Sequence, residues 1–489
     1  MPAGYTFNDF YYILPEIILT VGALLVLIAD MLFKKRDGIV FGVTMATLLL
    51  TAATVISFDG VNTTASAGLL AIDGFATFFK VVFLLSAVMT VLMSVPYFRA
   101  EGLQGGEYYF LILCATLGMM FMASGVDLIT LFIGLETMAI SFYILAGFLK
   151  PSQRSNEAAV KYFLLGAFSL GLLLYGMSLL YGATGTTNLH GIAEALAGGE
   201  RSVILLLAVI LVAVGMGFKI AAVPFHMWAP DVYEGAPTPV TAFLSVGSKA
   251  ASFAMLLRVF VVGLPVLVAD WQTLFWVLAA VTMTVGNIAA ITQSNTKRML
   301  AYSSIAHAGY LLIGVVAATE RGIAATMVYL WVYLFMQLGA FAVVAMLRRQ
   351  EVVGDELKDL SGLFFRKPFA AIAMLIFMLS LGGIPPTAGF MGKFWIFGAA
   401  IEAELYWLAV IGVINSAISL YYYYRVIVFM WLKEETTGPD IEMGPAMATA
   451  LGIAVVGSIL FGVYPDAVFN HAQIAAEMFG SAVSTVAQQ

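Results

Sequence analysis

Apolar runs of membrane-spanning length recur from one end of this 489-residue chain to the other. A run of about 17–25 residues with few charges must cross a bilayer or be buried in a core. With 62% hydrophobic residues, 11% charged residues and a mean hydropathy of +0.97, no water-soluble core could hold all of them. The chain is therefore expected to be an all-α polytopic membrane protein with about 14 transmembrane helices. The predicted spans are Phe10–Leu32, Val40–Phe58, Gly74–Val95, Glu107–Ser124, Asp127–Phe148, Asn156–Tyr181, Ser202–Ala222 (resuming from Phe225), Pro239–Val261, Trp271–Thr292, Met299–Ala317, Ala324–Met346, Phe369–Gly383 (resuming over Thr387–Ala400), Leu405–Trp431 and Ala446–Val463. No linker is long enough for a soluble domain. The N-terminus lacks a basic segment before its first apolar run, so that run reads as a retained span.

The basic residues test the count. With the N-terminus placed outside the cytoplasm, the cytoplasmic loops hold Lys34, Lys35, Arg36, Arg99, Lys150, Arg154, Lys297, Arg298, Arg348, Arg349, Lys358, Arg366, Lys367 and Lys433. The outer loops hold only Arg201 and Arg321. Cytoplasmic loops of membrane proteins are enriched in Lys and Arg, so this sorting supports both the even count and the orientation. It also isolates the cations left inside spans: Lys80, Lys161, Lys219, Lys249, Arg258, Lys393 and Arg425.

Two spans are interrupted by proline. Pro224 lacks an N–H and its ring clashes with the carbonyl of Ile220; Pro385 and Pro386 do the same to Leu381 and Gly382. Irregular backbone at membrane depth is tolerated only where it is buried in protein or lines a wet cavity. Water is the expected partner of the freed carbonyls. Each break has a lysine nearby, Lys219 and Lys393, and a single break could be a packing kink, whereas two in matching halves point to a pathway. Spans four to eight and nine to thirteen then form two five-helix units. Five is odd, so consecutive copies are inverted, as in transporters with discontinuous helices at the midplane. The predicted division is 1–106 for helices 1–3, 107–261 for the first repeat, 262–432 for the inverted second repeat, and 433–489 for helix 14 and the tail.

A lone lysine in lipid is costly and marks an ion or proton path by default. Burial disfavours the charged form of a lysine and a nearby carboxylate restores it, so a lysine between the two effects can load and release protons. Glu136, the only acid in the interior of its span, is the expected partner of Lys219, with Lys249 as the next carrier. A static ion pair that sets helix register is the plainer reading. His307, inside the tenth span, could pass a proton from Lys249 toward Lys393. Ser303, Ser304 and Tyr310 could extend that path or be ordinary helix contacts. Lys161 follows Glu157 by four residues and could be a simple surface ion pair. Lys80 and Arg258 are expected to reach outward to water. Arg425 suits an interface or helix contact, Asp127 an N-cap, and His226 a structural role.

Other chemistries are set aside. One cysteine, Cys114, excludes a disulfide framework, a thiolate zinc site and an iron–sulfur cluster within the chain. Four histidines, with only His307 clearly mid-span, do not make a bis-histidine haem site. No glycine-rich loop precedes a helix in the manner of a nucleotide site. Electrons are not expected to pass through this chain.

Four segments are peculiar enough to carry a family resemblance: VGMGFKIAAVPFHMWAPDVYEGAPTPVTAFLSVGSKAA, TKRMLAYSSIAHAGYLL, LSLGGIPPTAGFMGKFW and AISLYYYYRV. With them the chain resembles the antiporter-like membrane subunits of respiratory complex I, the proton-pumping NADH:quinone oxidoreductase, in the branch called N. The resemblance implies fourteen helices, two inverted five-helix repeats and discontinuous helices 7 and 12. It implies a proton relay through Glu136, Lys219, Lys249, His307 and Lys393, with Lys161 matching a position on the sixth helix. It implies no cofactor or metal in this chain, with NADH, FMN, iron–sulfur clusters and quinone bound by other subunits. Expected partners are the neighbouring subunit M, the small subunits K and J, the lateral helix of subunit L, and membrane lipid, with no nucleic acid. The expected location is the bacterial inner membrane. Relatives in sodium–proton antiporter complexes make a cation/proton exchanger the main alternative. A non-conducting structural subunit is a third reading, against which the intact lysine and glutamate set argues.

Overall fold

The computed structural model describes residues 7–33, 37–102, 105–198, 202–348, 354–433 and 443–487. Lys34, Lys35, Arg36, Arg201 and Arg349, used in the charge sorting, lie outside the described residues. Helix dominates for a physical reason: away from water a backbone amide has no partner but another amide, and a helix pairs them within one segment. Among the described residues, twelve helices are long and apolar enough to cross a membrane.

In chain order the main helices are α1 (Leu14–Leu32), α2 (Asp37–Ile56), α3 (Gly74–Glu101), α4 (Gly106–Ser124), α5 (Leu128–Ala146), α6 (Gln153–Thr184), α7 (Val203–Lys219), α8 (Thr238–Gly263), α9 (Val268–Ile291), α10 (Thr296–Ala317), α11 (Glu320–Met346), α12 (Pro368–Gly382), α13 (Tyr406–Leu432), α14 (Pro445–Val463) and α15 (Asp466–Ala487), with shorter ones such as Phe7–Tyr12 and Leu189–Ala197 before or between them. The apolar helices α7 and α12 are shorter than the other spans. Each resumes after a proline break, at Trp228–Gly235 and at Ala388–Glu402. A small departure from the all-α expectation is an antiparallel hairpin, β1 (Thr63–Ala65) with β2 (Leu70–Ile72), between α2 and α3. The tail beyond α14, for which only a tail was expected, forms α15 and packs against α3 and α11.

Burial separates an axis from a shell. The apolar windows of α8, α10 and α11 are 100%, 94% and 94% buried, against 33–39% for α1, α2, α6, α13 and α14. A helix apolar all round is stable when other helices surround it, and these three are. The axis is packed through small residues. A Cβ on Gly286 of α9 would meet the backbone N of Ala306 at 2.7 Å, and one on Gly309 of α10 would meet the N of Met283 at the same distance. Helices in lipid associate through such close backbone approach, since the apolar effect between them is weak.

Polar side chains begin several helices. Asp127 opens α5 as the sequence position suggests, its Oδ1 accepting from the N–H of Ile129 at 2.9 Å. Asp73 does the same for α3, accepting from Ala76 at 2.7 Å.

Two cations depart from expectation. Lys80 does not reach out to water: its ammonium lies 2.7 Å from Glu16 Oε1, and the two side chains are only 6% and 5% exposed. Arg258 is likewise buried, 2.8 Å from Asp73 Oδ2, with its Nε donating to the carbonyl of Ala123 at 3.0 Å. The reason is the same for both. Each has a carboxylate on a neighbouring element at its own depth, and a short charge-assisted contact outweighs the stretch to water. These pairs tie α1 to α3 and α3 to α8. Arg425, expected to serve an interface or helix contact, makes a helix contact: it donates to the carbonyls of Ile291 and Gln293 at the end of α9.

Lys80→Met should leave Glu16 buried without its cation, a change that typically costs about 3–5 kcal/mol. The melting temperature of the detergent-solubilised protein should fall, and the double variant Glu16→Gln/Lys80→Met should recover most of the loss. A single variant as stable as the parent would remove the pair from the account of the fold.

Candidate functional site

The first break sets Lys219 at the last position of α7. The helix stops here because Pro224 cannot continue it, and Ala221 takes a positive φ of 58°. The freed backbone groups do not wait for water, as the sequence suggested. The indole Nε1 of Trp228, on the resumed helix, donates to the carbonyl of Phe218 at 2.9 Å. Val223 N–H donates to Thr282 Oγ1 of α9 at 2.9 Å.

Lys219 is thereby left free of capping duty. Its ammonium donates to the hydroxyl of Tyr143 at 3.4 Å and lies 5.5 and 5.9 Å from the ring centroids of Tyr143 and Tyr162. Glu136 is close enough for the two charges to act on one another, yet no ion-pair contact joins it to Lys219 among the described residues, and its Oε1 is buried without a partner. Tyr143 follows Glu136 by seven residues, two turns along one face of α5. The ammonium stands at the Tyr143 end of that face, so the expected pair is open.

Lys249 follows a π-helical turn, Leu244–Ser248, inside α8. Such turns interrupt the regular ladder and recur at functional sites. Its ammonium donates to the carbonyl of Ser304 and, at 2.5 Å, to Ser304 Oγ on α10. The ring of Tyr333 lies 5.6 Å away.

The second break is built differently. Lys393 stands on the resumed helix and reaches back to the end of α12, donating to the carbonyls of Leu381 at 3.0 Å and Gly382 at 3.1 Å and to Ser416 Oγ of α13 at 2.8 Å. Gly383 ends α12 at a φ of +81°, and a Cβ there would meet Lys393 Cδ at 2.9 Å. Glycine therefore serves both the left-handed backbone and the passage of the lysine stem. Lys219, Lys249 and Lys393 are 4%, 3% and 4% exposed.

Between Lys249 and Lys393 lies a hydroxyl network on α10, α11 and α13. His307 Nδ1 is 2.7 Å from the hydroxyl of Tyr329, and Nε2 is 3.0 Å from that of Tyr423. Tyr423 also meets Ser303 Oγ at 2.5 Å. The ring of Tyr310 lies 5.0 Å from the Lys393 ammonium, and its hydroxyl accepts from Asn287 at 3.1 Å. Tyr143, Tyr423, Tyr329, Ser416 and Asn287 were absent from the sequence-based set. The run Tyr421–Tyr424 was visible, but nothing in it told which tyrosine faces inward.

The structure sets Lys161 apart from this axis. Its side chain is 41% exposed and lies 2.7 Å from both Glu157 and Asp231. Asp231 in turn meets Arg298 at 2.6 Å, so the resumed half of α7, α6 and α10 meet in one ionic cluster. Beside it Lys297 donates to the carbonyl of Ala236 at 2.6 Å. Burial pushes the Asp355 carboxyl up, against the lowering effect of the Lys297 and Arg348 charges. His226 is half-buried in the first break. Among the described residues, no group of three or more His, Cys, Asp or Glu side chains stands together to hold a metal ion.

Two broken helices presenting lysines to one buried polar axis define a class, the antiporter-type membrane subunits. The comparisons agree. Residues 124–419 match the family described as NADH:quinone oxidoreductase/Mrp antiporter, TM. NADH-quinone oxidoreductase subunit N of Trichlorobacter lovleyi is 47% identical over 95% of this chain and 96% of its own. A chain of Thermus thermophilus respiratory complex I is 35% identical with a TM-score of 0.81, over 93% of this chain and 98% of that one. A chain of the Mrp complex from a Dietzia species, 22% identical, shares the fold with a TM-score of 0.83 over 98% of this chain and 99% of that one. The chain belongs to the NADH-quinone oxidoreductase subunit N family. As such it is a multi-pass, proton-translocating membrane subunit of a translocase.

Ser304→Ala should leave the fold intact, at a cost of about 1 kcal/mol for one lost hydrogen bond, while slowing NADH-driven proton uptake in the assembled enzyme. Ser304→Thr keeps the hydroxyl and should restore the rate. Equal pumping in all three would show that the hydroxyl at Lys249 has no part in proton movement.

Proposed function

We propose that the chain conducts protons along a buried line from Glu136 and Lys219 through Lys249 and His307 to Lys393. One observation supports this reading: Lys219, Lys249 and Lys393 each meet a hydroxyl, from Tyr143, Ser304 and Ser416, and none of the three meets a carboxylate among the described residues. A charged ammonium has three donors and no acceptor, whereas a neutral amine has two donors and a lone pair. A hydroxyl accepts from the first and donates to the second, so the site suits both states. An ionised carboxylate only accepts, so a carboxylate partner, such as Lys80 and Arg258 have, suits the charged state alone.

Buried polar atoms support a hydrated path. The Gln337 amide is buried with no partner among the described residues. An unsatisfied buried polar group costs about 1–3 kcal/mol unless something bonds it, and water is the available partner in the proposed path. In this reading Glu136 and Lys219 form an input switch, Lys249 is the central station, His307 bridges through Tyr423 and Tyr329, and Lys393 is the terminal station. Lys161 serves the ionic cluster and enters the path only indirectly, by holding the resumed half of α7.

The wider arrangement is part of the same proposal. Counting each broken helix as one crossing adds two to the twelve long spans, in keeping with fourteen passes. The division into 1–106, 107–261, 262–432 and 433–489, with the two middle units inverted, follows from the position of the breaks. The N-terminus lies on the outer side of a bacterial inner membrane. The chain works among other complex I membrane subunits, next to subunit M, with K, J and the lateral helix of L as further neighbours. NADH, FMN, iron–sulfur clusters and quinone belong to other subunits, and electron transfer there drives the switch. A free-standing cation/proton antiporter is the alternative, and its transport would not depend on NADH.

In the assembled enzyme, Lys219→Ala and Lys393→Ala should lower protons moved per NADH oxidised while NADH:quinone electron transfer can still be followed. Unchanged pumping per electron in both variants would sink the relay. Transport that persists without NADH and exchanges sodium would favour the antiporter.

A further inference from the structure

A second candidate site lies away from the axis. The ends of α1 and α3 and the starts of α2, α4 and α14 border a cavity of about 380 Å³, within the range of small-ligand pockets. Its walls include Phe41, Phe98, Tyr109 and Phe148, and its polar groups include Asp30 and Arg99. Neither the Asp30 nor the Arg99 side chain has an ion-pair or hydrogen-bond partner among the described residues. Asp30 is two residues from the end of α1, Arg99 two from the end of α3, and Tyr109 in the first turn of α4. All three positions are at ends of membrane-spanning helices, and such ends lie toward the lipid headgroups, where aromatic residues also collect.

We propose that this cavity binds the headgroup of a zwitterionic phospholipid bearing a primary ammonium, of which phosphatidylethanolamine is the simplest. The pattern of charge decides the class. A guanidinium matches a phosphate through paired N–H donors. A carboxylate beside aromatic faces matches an ammonium, by ion pairing and by attraction to the ring faces. One ligand with both groups a few bonds apart answers both unpaired side chains. An anionic lipid without an amine would answer Arg99 and leave Asp30 facing more negative charge. The acyl chains would leave along the apolar outer faces of α1 and α2, where Ile28, Met31 and Leu49 are exposed. Basic pockets between transmembrane helices are known headgroup sites, and the acidic residue here adds selection for an amine.

The test uses the assembled enzyme, purified and delipidated, with phosphatidylethanolamine and phosphatidylglycerol of equal chain length as probes and native mass spectrometry as readout. The parent should retain phosphatidylethanolamine in preference. Arg99→Gln should weaken both lipids by roughly tenfold, the loss of one charge-assisted contact. Asp30→Asn should weaken phosphatidylethanolamine alone and abolish the preference. Because a variant could disturb the helix ends, the parent is also tested with a phosphatidylethanolamine carrying a photoreactive headgroup, which should label residues 95–109. Equal lipid binding in parent and variants overturns the proposal. So does labelling that falls elsewhere, or a cross-link from this cavity to a neighbouring subunit.

Discussion

A carbonyl freed inside an apolar bundle must find a donor, and much of this structure follows from how four helix ends find theirs. The first half of α7 is closed by the Trp228 indole, its resumed half by Lys297, α9 by Arg425 and α12 by Lys393. Each cation also meets the negative end of a helix dipole, which favours it further. A break in a membrane helix would otherwise leave groups that cost about 1–3 kcal/mol each. With those groups held by side chains, the breaks become fixed features of the bundle, and the elements that hold them converge on α8, α10 and α11. The most buried part of the fold and its most polar part are therefore the same place.

Apart from Lys297, which holds the carbonyl of Ala236, the buried cations divide by partner. Lys80 and Arg258 contact carboxylates and bind helices together. Lys219, Lys249 and Lys393 contact hydroxyls. Burial is the same in both groups, and lysine occurs in both, so neither explains the division. What differs is whether the partner can reverse its hydrogen bond. An ionised carboxylate only accepts, while a serine or tyrosine hydroxyl accepts or donates. The first arrangement rewards a permanent charge, and the second tolerates its coming and going.

Much of this was legible in the sequence because it is local. Apolar runs, proline breaks, the lysine beside each break and the Asp127 cap all depend on neighbours within a few residues. The partners are not local. Arg258 finds Asp73 across 185 positions and His307 finds Tyr423 across 116, and helical periodicity carries no information at that range. For that reason Lys80 and Arg258 were expected in water and are instead paired. For the same reason Glu136 and Lys219 were expected in contact. The Lys219 ammonium does reach the helix of Glu136, at Tyr143, but the seven residues from Glu136 to Tyr143 give it two places to stand on one face, and sequence does not choose between them.

The two breaks look alike in sequence, yet they assign their lysines different work. At the first, an indole that does not titrate caps the helix end. Among the described residues Lys219 holds no carbonyl, and its one side-chain hydrogen bond, to Tyr143, is long. It can swing toward Glu136 without exposing any backbone. At the second, Lys393 is itself the cap, holding two carbonyls and Ser416 at once. Moving its head would leave the Leu381 carbonyl bare and the Gly382 carbonyl with only a 3.5 Å contact from Ser416 Oγ, so in the proposed path the head stays and its proton leaves. A neutral amine still has two N–H groups for the two carbonyls, while Ser416 reverses to donate to the lone pair. In the proposed path the first lysine is thus the moving part and the last a fixed station, and a conformational signal has purchase only at the first.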